Sequence, residues 1–189
     1  MKMEMEKKPM KIEDIRELCK EAHENAVRNG FWNGEHDIRH YLMLVITELA
    51  EAVQAYRKGK FADRDKYEKL VMESGCTEDT AFLLRVKDTF EDEMADACIR
   101  LMDLAGASIG ECEFRDTVRF VKGFNAHKEI TEVIWNAIHF IDTNCYVEHD
   151  ILACYLIRLS EAIGIDIEWH IRQKMAYNAS RPYLHGNKF

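Results

Sequence analysis

The sequence predicts an all-α helical bundle, and three observations carry that prediction. Apolar residues recur at three- and four-residue intervals through most of the chain, the period of a helix with one buried face. Only two prolines occur in 189 residues, Pro9 and Pro182, and both lie outside the periodic stretches, so nothing interrupts the interior helices. No segment shows the convincing apolar–polar alternation of a half-buried strand.

The elements follow in order. Residues 1–10, MKMEMEKKPM, read as a flexible tail. From 11 to 29, Ile12, Ile15, Leu18, Ala22 and Ala26 repeat at helical spacing, and Gly30 is a natural stop. A second helix is expected from about Glu35 to Lys58, ending at Gly59. A shorter, charged helix over about 62–73 ends at Gly75, and Thr77 to Lys87 adds a turn or two. Thr89 has Asp92 three residues on, a variant of the capping box, and starts a helix that ends near Gly106 or Gly110. Further helices are expected at about 125–142, 147–163 and 165–179. No stretch rich in Pro, Gly or Ser divides the chain, so residues 11–189 are expected to form one domain.

Within that domain, Val45-Ile46-Thr47-Glu48-Leu49 is echoed by Glu129-Ile130-Thr131-Glu132-Val133, and Ile99-Arg100-Leu101 by Ile157-Arg158-Leu159. On this reading residues 111–163 are an inserted helical pair, a degenerate repeat without metal ligands. Chance similarity between amphipathic helices accounts for the echo equally well.

Charge and composition narrow the function classes. A formal net charge of −8 argues against a general nucleic-acid surface. No stretch approaches the roughly 18 apolar residues of a membrane span, and the N-terminus lacks the apolar core of a signal peptide, so a cytoplasmic protein without membrane partners is expected. The six cysteines, Cys19, Cys76, Cys98, Cys112, Cys145 and Cys154, include no C-x-x-C pair and read as reduced and structural. His36 and His40 stand at i,i+4 spacing, as on a zinc-protease helix, but Asp37 replaces the usual Glu and no third ligand is evident.

Two acidic motifs carry the chemistry: Glu48-Leu49-Ala50-Glu51 and Glu93-Met94-Ala95-Asp96. Residues three apart on a helix are neighbours, so each motif offers two carboxylates on one side. Acidic pairs are common on solvated helix faces. These, however, border the apolar stripes made by Leu42, Val45, Leu49 and Ala52 on one helix and by Phe90, Met94, Ala97 and Leu101 on the other. Like charges crowded at a packing border repel and resist desolvation unless a cation holds them. Four hard oxygen ligands suit Mg²⁺ or Mn²⁺, completed by water and phosphate oxygens. Near the C-terminus, Lys174 and Asn178 stand one helical turn apart and Arg181 follows just before Pro182, an ammonium, an amide and a guanidinium suited to a polyphosphate. Basic residues at a helix end also simply complement its dipole.

Taken together, Glu48-Leu49-Ala50-Glu51, Glu93-Met94-Ala95-Asp96 and the run Lys174-Met175-Ala176-Tyr177-Asn178-Ala179-Ser180-Arg181-Pro182-Tyr183-Leu184-His185-Gly186 resemble the MazG-like all-α nucleoside triphosphate pyrophosphohydrolases, relatives of the dimeric dUTPases. Gly30-Phe31-Trp32-Asn33 adds a looser match. The resemblance covers about residues 12–60, 88–110 and 163–189. It departs from the family's compact pattern in the long spacer between Glu51 and Glu93 and in the segment 111–162.

The resemblance implies a MazG-like bundle that hydrolyses a nucleoside triphosphate between the α and β phosphates, giving a monophosphate and pyrophosphate, as nucleotide-pool housekeeping. By similarity, Glu48, Glu51, Glu93 and Asp96 bind one or two Mg²⁺ ions, with Glu48 and Glu51 the candidates for the base. Lys174, Asn178 and Arg181 hold phosphates, and Phe31, Trp32 and Asn33 meet the nucleobase, although an aromatic such as Trp32 between two helices is more often a core anchor. A homodimer or higher homo-oligomer is implied as well. Phosphoribosyl-ATP pyrophosphohydrolase activity and a non-catalytic nucleotide sensor are the alternatives. A di-iron bundle lacks its E-x-x-H signature here.

Overall fold

The computed structural model describes residues 8–108, 115–121, 129–146 and 149–181. The elements are α1 (Ile12–Arg28), α2 (Ile38–Arg57), α3 (Arg64–Glu73), α4 (Glu78–Arg85), α5 (Phe90–Ala107), α6 (Val118–Val121), α7 (Ile130–Thr143), α8 (His149–Ala162) and α9 (Ile167–Ala179), with no strand among the described residues. None of these helices is long and apolar enough to cross a membrane.

Local chemistry sets most helix ends. Asp63, Thr77, Thr89 and Asp166 each accept a backbone N–H in the first turn of the helix that follows, satisfying a donor the helix leaves unpaired. Asp37 does the same for α2 through Arg39 N. That cap starts α2 at Ile38, later than the expected Glu35, and leaves His36 outside the helix that carries His40. The two rings nevertheless stack at 4.3 Å. Gly59 and Gly75 close α2 and α3 with φ of 65° and 63°, a conformation that costs glycine nothing. The Gly110 stop, Cys112, the run from Pro182 to Gly186 and residues 1–7 of the expected tail lie outside the described residues.

α5 is the axis of the bundle and packs against α1, α2, α8 and α9. Its residues Met94, Ala95, Ala97, Cys98, Leu101 and Met102 are fully buried. Gly106 permits a close crossing with α1: a Cβ there would lie 2.2 Å from Cys19 O and 2.6 Å from the His23 Cβ. α8 is buried without a break from Leu152 to Ser160, the pattern of a helix enclosed on all sides. α7 packs on α2 and α8 on α5, so each helix carrying an echoed segment lies against the helix it echoes.

Two features refine the sequence reading. Met10, expected in the tail, is buried: its N–H donates to Glu161 Oε1 at 2.8 Å and its carbonyl accepts from Arg158 Nη2 at 2.8 Å. The segment between Glu51 and Glu93 forms the α3–α4 hairpin, which has a small core of its own. Tyr67, Ala81, Phe82 and Val86 pack there against Trp169 and Tyr177 of α9. Tyr67 OH donates to Gln173 Oε1 at 2.6 Å, and Phe82 stacks on Tyr177 at 4.8 Å. Among the described cysteines all are free, with Cys19, Cys98 and Cys154 buried as small apolar groups.

Candidate metal centre

The two acidic motifs meet where α2 crosses α5. Glu48, Glu51 and Glu93 each offer a carboxylate oxygen, and the three lie within 4.8 Å of one another. Glu48 and Glu93 are buried at the helix–helix border, while Glu51 is exposed. Burial and then the nearby Asp96 push the Glu93 carboxyl up to about 8. Burial also raises Glu48, against the pull of Arg100. This donor set fits a small, hard divalent cation: three convergent carboxylates, two of them out of water, whose mutual repulsion a cation would reverse.

Asp96 lies outside that trio. Its Oδ2 accepts from Lys174 Nζ at 2.6 Å, and Asp92 Oδ2 accepts from the same ammonium at 2.8 Å. Lys174 is 4% exposed, and Phe82 lies over its ammonium. Burial opposes the Lys174 charge, but Asp96 and Asp92 outweigh it and hold its pKa above the ordinary value. The expected phosphate ligand is thus committed to two carboxylates, a placement that differs from the sequence expectation. Asp92, read from sequence only as a capping residue, is fully buried, and burial raises it to about 6 against the pull of Lys174. Its Oδ1 has no hydrogen-bond partner among the described residues.

A cavity of about 560 Å³ opens from this centre between α1, α2, α5 and the end of α9. Glu48, Asp96 and Arg100 line it, together with Asn178 and Arg181. Asn178 Oδ1 is buried and has no hydrogen-bond partner among the described residues. Of the three residues expected to meet a base, Phe31 and Asn33 line the cavity with Asn25 and Asn29. Trp32 stands behind the wall, stacked on the cavity residue Tyr41 at 5.1 Å. Its Nε1 donates to Asp103 Oδ1 at 2.9 Å, and His23 Nδ1 lies 2.8 Å from the same oxygen. Burial raises Asp103 to about 6, against those two bonds.

The structure therefore brings Glu48, Glu51 and Glu93 together and sets Asp96, Asn178, Arg181, Phe31 and Asn33 around the adjoining cavity. It also reveals residues that the sequence reading missed. Arg100 and Asp103 stand four and seven positions after Asp96, on the same face of α5, and Tyr41 stands seven before Glu48 on α2. That spacing was the available signal, masked because each residue is ordinary on a solvated helix. No protein-family model matches the chain, and no curated protein or solved structure proved similar to it.

Proposed function

We propose that this chain is a Mg²⁺-dependent, MazG-like nucleoside triphosphate pyrophosphohydrolase, cleaving its substrate between the α and β phosphates. The observation that carries the reading is the convergence of Glu48, Glu51 and Glu93 within 4.8 Å at a cavity whose walls also bear Arg100, Asn178 and Arg181. Anionic ligands for a cation and cationic or amide donors for an anion thus share one site. The volume of about 560 Å³ falls in the range of roughly 300–1,000 Å³ usual for small-molecule pockets.

Glu48, Glu51 and Glu93 would hold Mg²⁺, with Mn²⁺ the expected substitute. The cation supplies charge neutralisation of the triphosphate and a more acidic water. The chain does the rest by positioning and electrostatics. Lys174 fixes Asp96 beside the trio, and Arg181 and Asn178 take the departing pyrophosphate. Glu51 accepts the proton of the attacking water, since Glu48 Oε1 already accepts a hydrogen bond from Arg100 Nε and lies 2.6 Å from its Nη2. The water oxygen bonds to the α phosphorus, the bond to the bridging oxygen breaks, and pyrophosphate leaves. The nucleoside extends toward Phe31, Asn33 and Tyr41, the last held by Trp32.

A panel of nucleoside triphosphates, with phosphoribosyl-ATP among them, tests this in the presence of Mg²⁺. Equal amounts of monophosphate product and pyrophosphate are expected from the preferred substrate. Glu93→Gln should lower turnover by about 100-fold or more while circular dichroism remains unchanged. Binding without turnover would instead favour the sensor reading, and release of inorganic phosphate would sink the assignment of the scissile bond.

A further inference from the structure

Arg100 holds an unusual place in the cavity. It lies on α5 four residues after Asp96 and three before Asp103, and all three line the cavity wall. Its Nε and Nη2 lie 2.8 and 2.6 Å from one oxygen, Glu48 Oε1. A guanidinium carries five N–H donors in a planar fork, so a pairing that converges on a single oxygen leaves the fork with capacity for a second anion. The Arg100 side chain is 35% exposed, while the Lys174 side chain is 5% exposed and turned to Asp92 and Asp96, and Arg181 lines the cavity from the end of α9.

Position along the helix says which part of a ligand meets this fork. At about 1.5 Å per residue, Arg100 stands roughly 6 Å along α5 from the level of Asp96 and roughly 4.5 Å from that of Asp103. The carboxylate centre lies at the Asp96 end, and Asp103 and Tyr41 line the other, backed by His23 and Trp32. A nucleotide with its polyphosphate at the carboxylates and its base among the aromatics places the phosphate nearest the sugar beside Arg100.

We infer that Arg100 binds the α phosphate, the one that stays with the nucleoside, while it keeps hold of Glu48. This inference rests on the pyrophosphohydrolase reading and adds a ligand-binding residue to it. Arg100 then contacts the monophosphate product but not pyrophosphate. It also ties an oxygen at the reacting phosphorus to a carboxylate of the metal centre through one rigid plane.

Calorimetric titration in Mg²⁺-free buffer tests the contact without turnover. The probes are the common ribo- and deoxynucleoside monophosphates and their parent nucleosides, using the pair that wild-type protein binds best. Arg100→Gln is expected to weaken monophosphate binding about tenfold or more and to leave nucleoside binding unchanged. Arg100→Lys, which keeps the charge but not the fork, should fall between and provides the comparison should Arg100→Gln fail to fold. The same pair of measurements in a Glu48→Gln background separates direct contact from indirect neutralisation, since a direct contact keeps its penalty there. Equal loss for monophosphate and nucleoside, no loss for either, a penalty that disappears with Glu48→Gln, or absence of monophosphate binding to wild type each overturns the inference. Failure of the underlying reading appears separately, as wild-type protein that releases no pyrophosphate from any triphosphate.

Discussion

Glu93 shows at the scale of one residue how a site can work against its fold. Its carboxyl, pushed up to about 8 by burial and by Asp96, keeps a proton that the unfolded chain releases near 4.5. A raised acid of this kind favours folding most below about 4.5, and that contribution is lost as pH rises through about 8. The metal-free protein should therefore lose thermal stability between pH 5 and 8, and Glu93→Gln should flatten the profile. At pH 8 the variant should melt higher, by about 2–4 °C per kcal/mol of relieved repulsion. Cation binding must expel the same proton, so Mg²⁺ affinity should climb toward pH 8, by up to about tenfold per unit. Calorimetry in buffers of different protonation enthalpy would detect the released proton, and a Mg²⁺ affinity indifferent to pH would remove Glu93 from the centre. Sequence placed Glu93 at a packing border and predicted the conflict of like charges. It did not show that Lys174 would pair directly with Asp92 and Asp96 and reach Glu93 only through its charge, too weakly to offset burial.

Among the elements, the crossing of α1 and α5 decides the shape of the cavity. A glycine inside a helix ordinarily costs about 1 kcal/mol relative to alanine, so Gly106→Ala would be expected to stabilise an isolated α5. In the bundle its Cβ would meet Cys19 O at 2.2 Å, a backbone atom that cannot turn aside. The helices must separate, and overpacking of this kind costs about 1–3 kcal/mol. Gly106→Ala should thus be less stable in urea than wild type. It should also loosen the His23–Asp103 contact one turn away, at 2.8 Å, and so weaken nucleotide binding. A stabilised variant would mean that α1 and α5 cross farther apart. The element boundaries were largely readable because their causes are local, as Thr89 before α5 and Gly59 after α2 illustrate. Gly106 was readable only as a helix stop; its use as a contact surface depends on α1.

For the whole molecule, the main consequence lies in α8, which is enclosed by the chain's own packing from Leu152 to Ser160. The principal core joins buried residues from α1, α2, α5, α7, α8 and α9, so the bundle around the candidate site is built by one chain. The family resemblance implies a homodimer or higher homo-oligomer. The packing instead predicts that turnover needs no second copy, so specific activity should stay constant on dilution from micromolar to nanomolar protein. Activity that falls with dilution, alongside a mass by light scattering above the monomer's 22.1 kDa, would restore the partner subunit. By itself the sequence determined that the chain is helical, where most helices begin and end, and which acids could converge, because helix formation, capping and face periodicity act within a few residues. Only the tertiary structure decided which charges face one another. Lys174 meets Asp92 across 82 positions and Arg100 meets Glu48 across 52. Whether a charge is neutralised by a neighbour or left for a ligand depends on which helices cross beside it, and local periodicity does not encode that choice.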